Sequence, residues 1–120
     1  MKIEVNHVNV TVPKSAESAT KTFYRDVLGM KEIPKPGVEK SGGAWFQLGG
    51  VQLHLSIEEG VDNRASKRHV CYSVPDLSEA ERRLRAAGVE IISESRQIAG
   101  SVRFFIRDPG GNHIEIAQQK

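Results

Sequence analysis

Residues 7–13 read HVNVTVP, and residues 69–75 read HVCYSVP, so His, Val, Val and Pro return at the same relative positions 62 residues later. Further along, residues 52–55 read QLHL and residues 113–116 read HIEI, which align at the nearly equal offset of 61. Supersecondary units that repeat at a constant spacing share strand lengths and stack on one another. The chain is therefore predicted to be an internal duplication of one βα unit.

The composition is that of a globular domain with mixed surface charge. A chain of 120 residues can bury a sizeable core as one domain, whereas half of it alone would be marginal. The 17 basic residues are scattered among 15 acidic ones, so a nucleic-acid partner is not expected. Because the chain has no apolar run of membrane-spanning length, no signal-peptide stretch and a single cysteine, Cys71, we expect a cytoplasmic protein without a membrane partner.

The first half is predicted to contain a strand, a helix and three further strands. Strict alternation from residue 3 to residue 12 predicts a strand with its Val side chains on one face and His7 on the other. A helix is expected to begin after Ser15 and to end at Gly29, with an apolar stripe formed by Ala16, Ala19, Phe23 and Val27. The remaining strands are predicted at residues 31–34, 44–48 and 51–57, with a flexible loop at 36–43 and a hairpin turn at 49–50.

The second half repeats this order after a polar linker at residues 58–67. A helix capped by Asp76 and Glu79 is expected to end at Gly88, and strands are predicted at residues 68–74, 89–93, 102–107 and 112–117. Antiparallel hairpins covered by helices on one face define an α+β fold. The prediction is one domain built from two βαβββ modules, residues 1–57 and 68–120.

Three of the four histidines lie at matching positions of the two halves. His7 aligns with His69, and His54 aligns with Glu115, always on the polar face of an otherwise apolar strand. Imidazole nitrogens and carboxylate oxygens bind Zn, Ni, Mn, Co or Fe. These four side chains are therefore predicted to bind one divalent metal ion at the junction of the two modules. The alternative is that they line a metal-free binding cavity.

Two longer motifs, FYRDVLGM at residues 23–30 and FFIRDPGGNHIE at residues 104–115, carry a resemblance that covers almost the whole chain. They resemble the vicinal oxygen chelate superfamily, which includes glyoxalase I, extradiol dioxygenases, fosfomycin resistance proteins and bleomycin-binding proteins. The resemblance implies that the modules form a cup-shaped mixed sheet around a divalent metal ion. It also implies that His7, His54, His69 and Glu115 are the metal ligands, although glyoxalase I has a carboxylate at the position of His54.

The same resemblance implies a metal-dependent enzyme acting on an oxygen-rich small molecule, as a lyase or isomerase or as a dioxygenase. Its alternatives are a metal-free drug- or metabolite-binding protein of the bleomycin resistance type and a fosfomycin-type thiol transferase. Glu115 is the expected catalytic residue, with His113 or bound hydroxide as other possible bases. Arg103, Phe105 and His113 are expected to contact the substrate. A homodimer is expected, because such modules pair across subunit boundaries.

Overall fold

The computed structural model describes residues 1–98 and 101–119, and of residues 93–98 and 101 only the backbone. The chain consists of two compact units, Met1–Val61 and Asp62–Lys120. In the first unit, the described strands are β1 (His7–Val12), β2 (Lys31–Ile33), β3 (Ala44–Leu48) and β4 (Val51–Ile57), which form a sheet in the order β1, β4, β3, β2. In the second unit they are β5 (His69–Val74), β6 (Ser93–Ile98), β7 (Ser101–Arg107) and β8 (His113–Gln118), in the order β5, β8, β7, β6.

In each unit a helix follows the first strand. In the first unit a continuous helical stretch consists of a 3-10 turn (Lys14–Ala16), the short helix α1 (Glu17–Thr22) and a wider π-type turn (Phe23–Val27). A further short helix, α2 (Val38–Ser41), precedes β3. In the second unit a 3-10 turn at Asn63–Ala65 precedes β5, and α3 (Leu77–Ala86) follows it. None of the helices in the described part of the chain is long and apolar enough to span a bilayer.

Both sheets have the same topology. The first strand pairs in parallel with the last one, β1 with β4 and β5 with β8, and the other pairings are antiparallel. A parallel pair needs a long crossover connection, which the helices and the intervening strands provide. The predicted α+β fold of two βαβββ modules is confirmed.

Alternation along the strands separates an apolar face from a polar one in each sheet. In the first unit Val12, Phe46, Leu53 and Leu55 are fully buried, and the Tyr24 ring packs 5.9 Å from that of Phe46. In the second unit the corresponding buried set is Phe104, Ile106, Ile114 and Ile116, with Leu77 and Leu84 of α3. Each such side chain contributes roughly 1.5 to 3 kcal/mol when it leaves water. The opposite faces are left for polar side chains.

The buried face of α1 differs from the predicted apolar stripe. Phe23 of the predicted stripe is buried, but Ala19 is exposed, and Glu17 and Thr20 are buried instead. Thr20 donates its hydroxyl hydrogen to the carbonyl of Ala16 at 2.7 Å, which satisfies the polar group inside the unit. Pro13, not Ser15, precedes the first turn. The small apolar residues did not identify the buried face of this helix, because the helix buries polar side chains that have hydrogen-bond partners.

The larger differences from prediction concern the start of β1, the position of β6 and the segment before β3. β1 begins at His7, the first residue in the parallel register with β4, although the carbonyl of Asn6 also accepts a hydrogen bond from the Gln52 amide. The strand predicted at residues 89–93 is instead β6, Ser93–Ile98, since the Val89 amide donates to the carbonyl of Leu84 and so closes α3 after Gly88, whose φ is 81°. The segment at residues 36–43, predicted to be a flexible loop, contains α2.

A buried carboxylate connects the helical segment to β3. Glu17 accepts a hydrogen bond from the Gly43 amide and one from the Lys14 ammonium, both at 2.7 Å, and Lys21 lies 3.5 Å away. The hydrogen bond from Lys14, followed by that from Gly43, lowers the pKa of Glu17 from 4.5 to about 2. The ionised carboxylate is therefore part of the folded structure.

The first prediction concerns this carboxylate. Because the pKa of Glu17 is lower in the folded state, its contribution to stability is complete above pH 4.5 and is lost as the pH falls towards 2. Glu17→Gln should lower the free energy of unfolding at pH 7 by about 1 to 2 kcal/mol, the difference between hydrogen bonds to charged and to neutral groups. Urea denaturation between pH 7 and pH 2.5 measures this, with exposed Glu39→Gln as control. Equal losses in the two variants at pH 7 would contradict the prediction.

The second prediction concerns Gly43, which has φ of 82° and lies against β4. A Cβ atom at this position would collide with the backbone carbonyl of Leu55, whereas Gly37 has a similar φ of 72° and open space around it. Gly37→Ala should therefore cost only the left-handed strain of about 1 to 2 kcal/mol. Gly43→Ala should cost clearly more, because β3 must move relative to β4. Thermal unfolding of the two variants isolates the collision, and equal melting temperatures would show that none occurs.

Candidate functional site

Glu115 of β8 is the centre of a polar cluster on the second sheet. Its side chain is 8% exposed, and its Oε1 lies 3.0 Å from Nε2 of His69 on β5. Its Oε2 accepts a hydrogen bond from Nη1 of Arg103 on β7, also at 3.0 Å. The parallel register places Cys71 opposite Glu115 and His69 opposite His113, so these side chains share one face. Both oxygens of a buried carboxylate thus have a cationic or ring-nitrogen neighbour.

The hydrogen-bond partner of Nδ1 in His69 determines whether Nε2 of a neutral ring carries a hydrogen or a lone pair. Nδ1 lies 3.0 Å from the backbone carbonyl oxygen of Lys67. A carbonyl oxygen only accepts, so Nδ1 carries a hydrogen. In a neutral ring, Nε2 then directs a lone pair at the carboxylate oxygen of Glu115, which is repulsive. The pair is favourable only with a proton or a cation between the two atoms.

A concave pocket of about 560 Å³ adjoins Glu115. This volume lies in the range of small-molecule sites. The lining residues are Cys71, Ser73, Arg103, Glu115, Ala117, Gln118 and Gln119. Burial, and then the charge and hydrogen bond of Glu115, raise the pKa of the Cys71 thiol, so this cysteine is not an activated nucleophile. The pocket offers one guanidinium group and several neutral hydrogen-bonding groups to a ligand.

Phe105 and His113 lie beside this cluster. The ring centroid of Phe105 is 5.6 Å from that of His69 and 6.2 Å from that of His113, and the Arg103 guanidinium lies 5.9 Å from the Phe105 ring centroid. Burial, followed by the charges of Arg107 and His69, lowers the pKa of His113. A neutral His113 can therefore accept or donate a hydrogen bond at neutral pH.

The polar face of the first sheet contains a stack of three rings. The His54 ring lies between Trp45, at 4.1 Å and 4°, and His7, at 4.0 Å and 15°. Nε2 of His54 is 2.9 Å from Oε1 of Gln52, and Nδ1 of His7 is 2.8 Å from Oδ1 of Asn6. Burial, followed by the charges of His7 and Lys35, lowers the pKa of His54, which is 9% exposed. The His54 ring is therefore neutral at pH 7, like that of His113.

The structure thus brings the four predicted ligands together in pairs, His7 with His54 and His69 with Glu115. Among the described residues of either unit taken by itself, no group of three His, Cys, Asp or Glu side chains is arranged to hold a metal ion. That all four share one ion stays a prediction. Arg103 contacts Glu115 and lines the pocket with it.

Two glutamines that were not among the predicted site residues, Gln47 and Gln52, lie on the polar face of the first sheet. Gln52 contacts the His54 ring, and Gln47 contacts Gln52. Gln52 shares a strand face with His54, and this alternation could have identified it as a neighbour. The proximity of Gln47 to this group could be predicted only from the antiparallel register of β3 and β4. That register places Gln47 opposite Gln52.

The chain belongs to the Glyoxalase/Bleomycin resistance protein/Dioxygenase superfamily, whose model matches residues 4–116. This agrees with the family resemblance of the two motifs.

Three similar proteins illustrate the range of the family. Metallothiol transferase FosB of Staphylococcus haemolyticus is 27% identical over 118 residues, covering 93% of this chain and 81% of that protein. Lactoylglutathione lyase of Arabidopsis thaliana is 30% identical over 108 residues, covering 81% of this chain and 38% of that protein. The crystal structure of a glyoxalase family protein from Bacillus anthracis is 32% identical, with a TM-score of 0.87 over 100% of this chain and 98% of that one.

Proposed function

We propose that this protein is a metal-dependent enzyme that acts on an oxygen-rich small molecule. The observation that carries the proposal is the state of His69, whose Nδ1 donates to a backbone carbonyl while its Nε2 faces a buried carboxylate oxygen. Metal-binding histidines characteristically donate their other ring N–H to a carbonyl or carboxylate, which orients the ring and fixes the tautomer. His69 already has this arrangement.

The spacing of the two donor atoms also fits a metal ion. A divalent ion bound by both an imidazole nitrogen and a carboxylate oxygen, at about 2.0 to 2.2 Å from each, would hold the two atoms roughly 3 to 3.5 Å apart. Nε2 of His69 and Oε1 of Glu115 are 3.0 Å apart. A divalent cation would also remove the repulsion between the lone pair and the carboxylate.

We propose His7 and His54 as the remaining ligands, on the strength of the duplication that aligns them with His69 and Glu115. The donor set of three imidazoles and one carboxylate suits Zn, Ni, Mn, Co or Fe. When bound, such an ion would act as a Lewis acid that stabilises negative charge on a substrate oxygen.

The side chains of the pocket have separable roles in this proposal. Arg103 orients the Glu115 carboxylate through Oε2 and places positive charge in the pocket, which favours a substrate with anionic or carbonyl oxygens. Glu115 is the residue positioned to exchange a proton with a bound substrate, with neutral His113 on the same strand face as an alternative base. Phe105 supplies the apolar surface beside them.

A thiol transferase activity is the second candidate, because FosB is similar over 93% of this chain. The elevated pKa of Cys71 means that the nucleophilic thiol would belong to a co-substrate. Consumption of a small thiol by the metal-loaded protein in the presence of fosfomycin would distinguish this candidate from a lyase or isomerase.

A metal-free binding protein is the candidate from a different class. It is favoured by the fact that Glu115 already has partners on both oxygens and that His54 is enclosed by two rings and Gln52. With a proton between His69 and Glu115 these groups would be paired with one another, and they could form the wall of a binding site for a drug or metabolite without a metal ion.

The third prediction separates these classes by metal content. His69→Ala, Glu115→Ala and His7→Ala should each lose most bound metal and nearly all turnover, whereas His54→Ala should retain metal more weakly, since water can take the vacated position. Elemental analysis of protein purified without chelator, followed by titration with Zn, Ni, Mn, Co and Fe(II), measures this. His113→Ala is the matched control, a histidine two residues from Glu115 that should leave metal stoichiometry unchanged. Wild-type protein that binds none of the five ions would favour the binding protein.

The fourth prediction concerns assembly. We propose that the protein is a homodimer, and the exposed apolar side chains Ile3 and Val5, which precede edge strand β1, support this proposal because a partner would cover them. Light scattering at micromolar concentration should report twice the mass of the chain. Ile3→Ser with Val5→Ser should weaken the dimer. A stable monomer that binds metal fully would contradict the proposal.

A further inference from the structure

A chain of side-chain amides leads from a hairpin turn to the His54 ring in the first unit. At its start, Nε2 of Gln47 lies 2.6 Å from the carbonyl oxygen of Gly49 and 3.4 Å from that of Val51. Backbone carbonyl oxygens can only accept hydrogen bonds. The end of the Gln47 side chain that faces the turn must therefore be its NH₂ group, which leaves Oε1 to face Gln52.

The next two links follow from the first. Nε2 of Gln52 lies 3.3 Å from Oε1 of Gln47, so Gln52 is the donor there and its own Oε1 faces the histidine. That oxygen is 2.9 Å from Nε2 of His54. An amide oxygen only accepts, so the hydrogen of this bond belongs to the ring. The orientation that glutamine amides usually leave ambiguous is settled here by the two carbonyls of the turn.

We infer that Gln52, oriented by Gln47, is a positioning residue that holds His54 with its hydrogen on Nε2 and leaves Nδ1 as the ring nitrogen with a free lone pair. The stacking of the ring between Trp45 and His7 reinforces this effect, because it confines the ring to one plane in which Nε2 meets Gln52. The inference goes beyond the proposed function, since it holds with or without a bound metal.

The consequence is a chemical difference between two histidines on the polar faces of the two sheets. His69 has its hydrogen on Nδ1 and presents Nε2, whereas His54 presents Nδ1. Any ligand or proton that His54 accepts must therefore approach Nδ1, unless the bond to Gln52 breaks.

The experiment is an NMR measurement of ring nitrogens in metal-free protein at pH 8, where histidine is neutral by its ordinary pKa of about 6.5. With ¹⁵N-labelled histidine, the His54 signals are assigned by their absence in His54→Ala. In the wild type we expect the shift of a protonated nitrogen at Nε2 and that of a lone-pair nitrogen at Nδ1.

Substitutions at Gln52 test the cause. Gln52→Leu keeps the volume but removes the acceptor, and the ratio of the two tautomers should fall by about five-fold, the effect of losing one neutral hydrogen bond. Gln52→Glu should retain the hydrogen on Nε2, because a carboxylate only accepts. Ser56→Ala is the matched control, since Ser56 lies two residues beyond His54 on the same strand face and bonds Asn9 instead. It should leave the tautomer unchanged.

Two outcomes would overturn the inference. One is a wild-type spectrum with the hydrogen of His54 on Nδ1, and the other is an unchanged tautomer ratio in Gln52→Leu. Gln47→Leu provides a second variant in case Gln52→Leu does not fold, because freeing the Gln52 amide to turn over should shift the ratio in the same direction by a smaller amount. An unchanged tautomer ratio in Gln47→Leu would show that Gln47 does not orient the Gln52 amide. None of these results depends on metal binding or turnover.

Discussion

The parallel pairing of the first and last strands of each unit is the constraint on which the rest of the structure depends. It sets His7 opposite Gln52 in the first sheet and His69 opposite His113 in the second. Because strand side chains alternate between faces, one register decides which polar groups meet on one side and which apolar groups are buried on the other. A slip of one residue would bury the histidines and expose the leucines and isoleucines of the core.

This constraint gives Glu115 its environment. The carboxylate is buried on the polar face of β8, where the neighbouring strands contribute His69 on one side and Arg103 on the other. Burial of a carboxylate is costly unless its oxygens are paired. The same contacts hold the two carboxylate oxygens in fixed directions, and the proposed metal site depends on this orientation.

The duplication has retained a scaffold while its two polar faces have diverged. Trp45 pairs with His54 as Phe105 pairs with Glu115, so each sheet places an aromatic ring beside the last strand's central polar group. In the first sheet that group is a stacked, neutral imidazole held by amides. In the second it is a carboxylate next to a guanidinium. The first face therefore has no charge at its centre, whereas the second face has the paired charges of Glu115 and Arg103 there.

The sequence by itself determined the duplication, the α+β class, the faces of the strands and the bounds of β3 and β4. The Gly49–Gly50 turn marks the end of β3 and the start of β4. These features depend on alternation and on turn residues, which act over a few neighbouring positions. The start of β6 and the buried face of α1 could not be read in this way, because Val89 is used to close a helix and Glu17 is buried by its bond to Gly43.

Only the tertiary structure decided which nitrogen of each histidine carries the hydrogen. For His69 the decision depends on a backbone carbonyl, and for His54 on two amides and a turn in the adjacent strand. A sequence shows which side chains can donate or accept a hydrogen bond. The partner that each one finds depends on strand register and on distances of a few ångströms, which the folded chain alone defines.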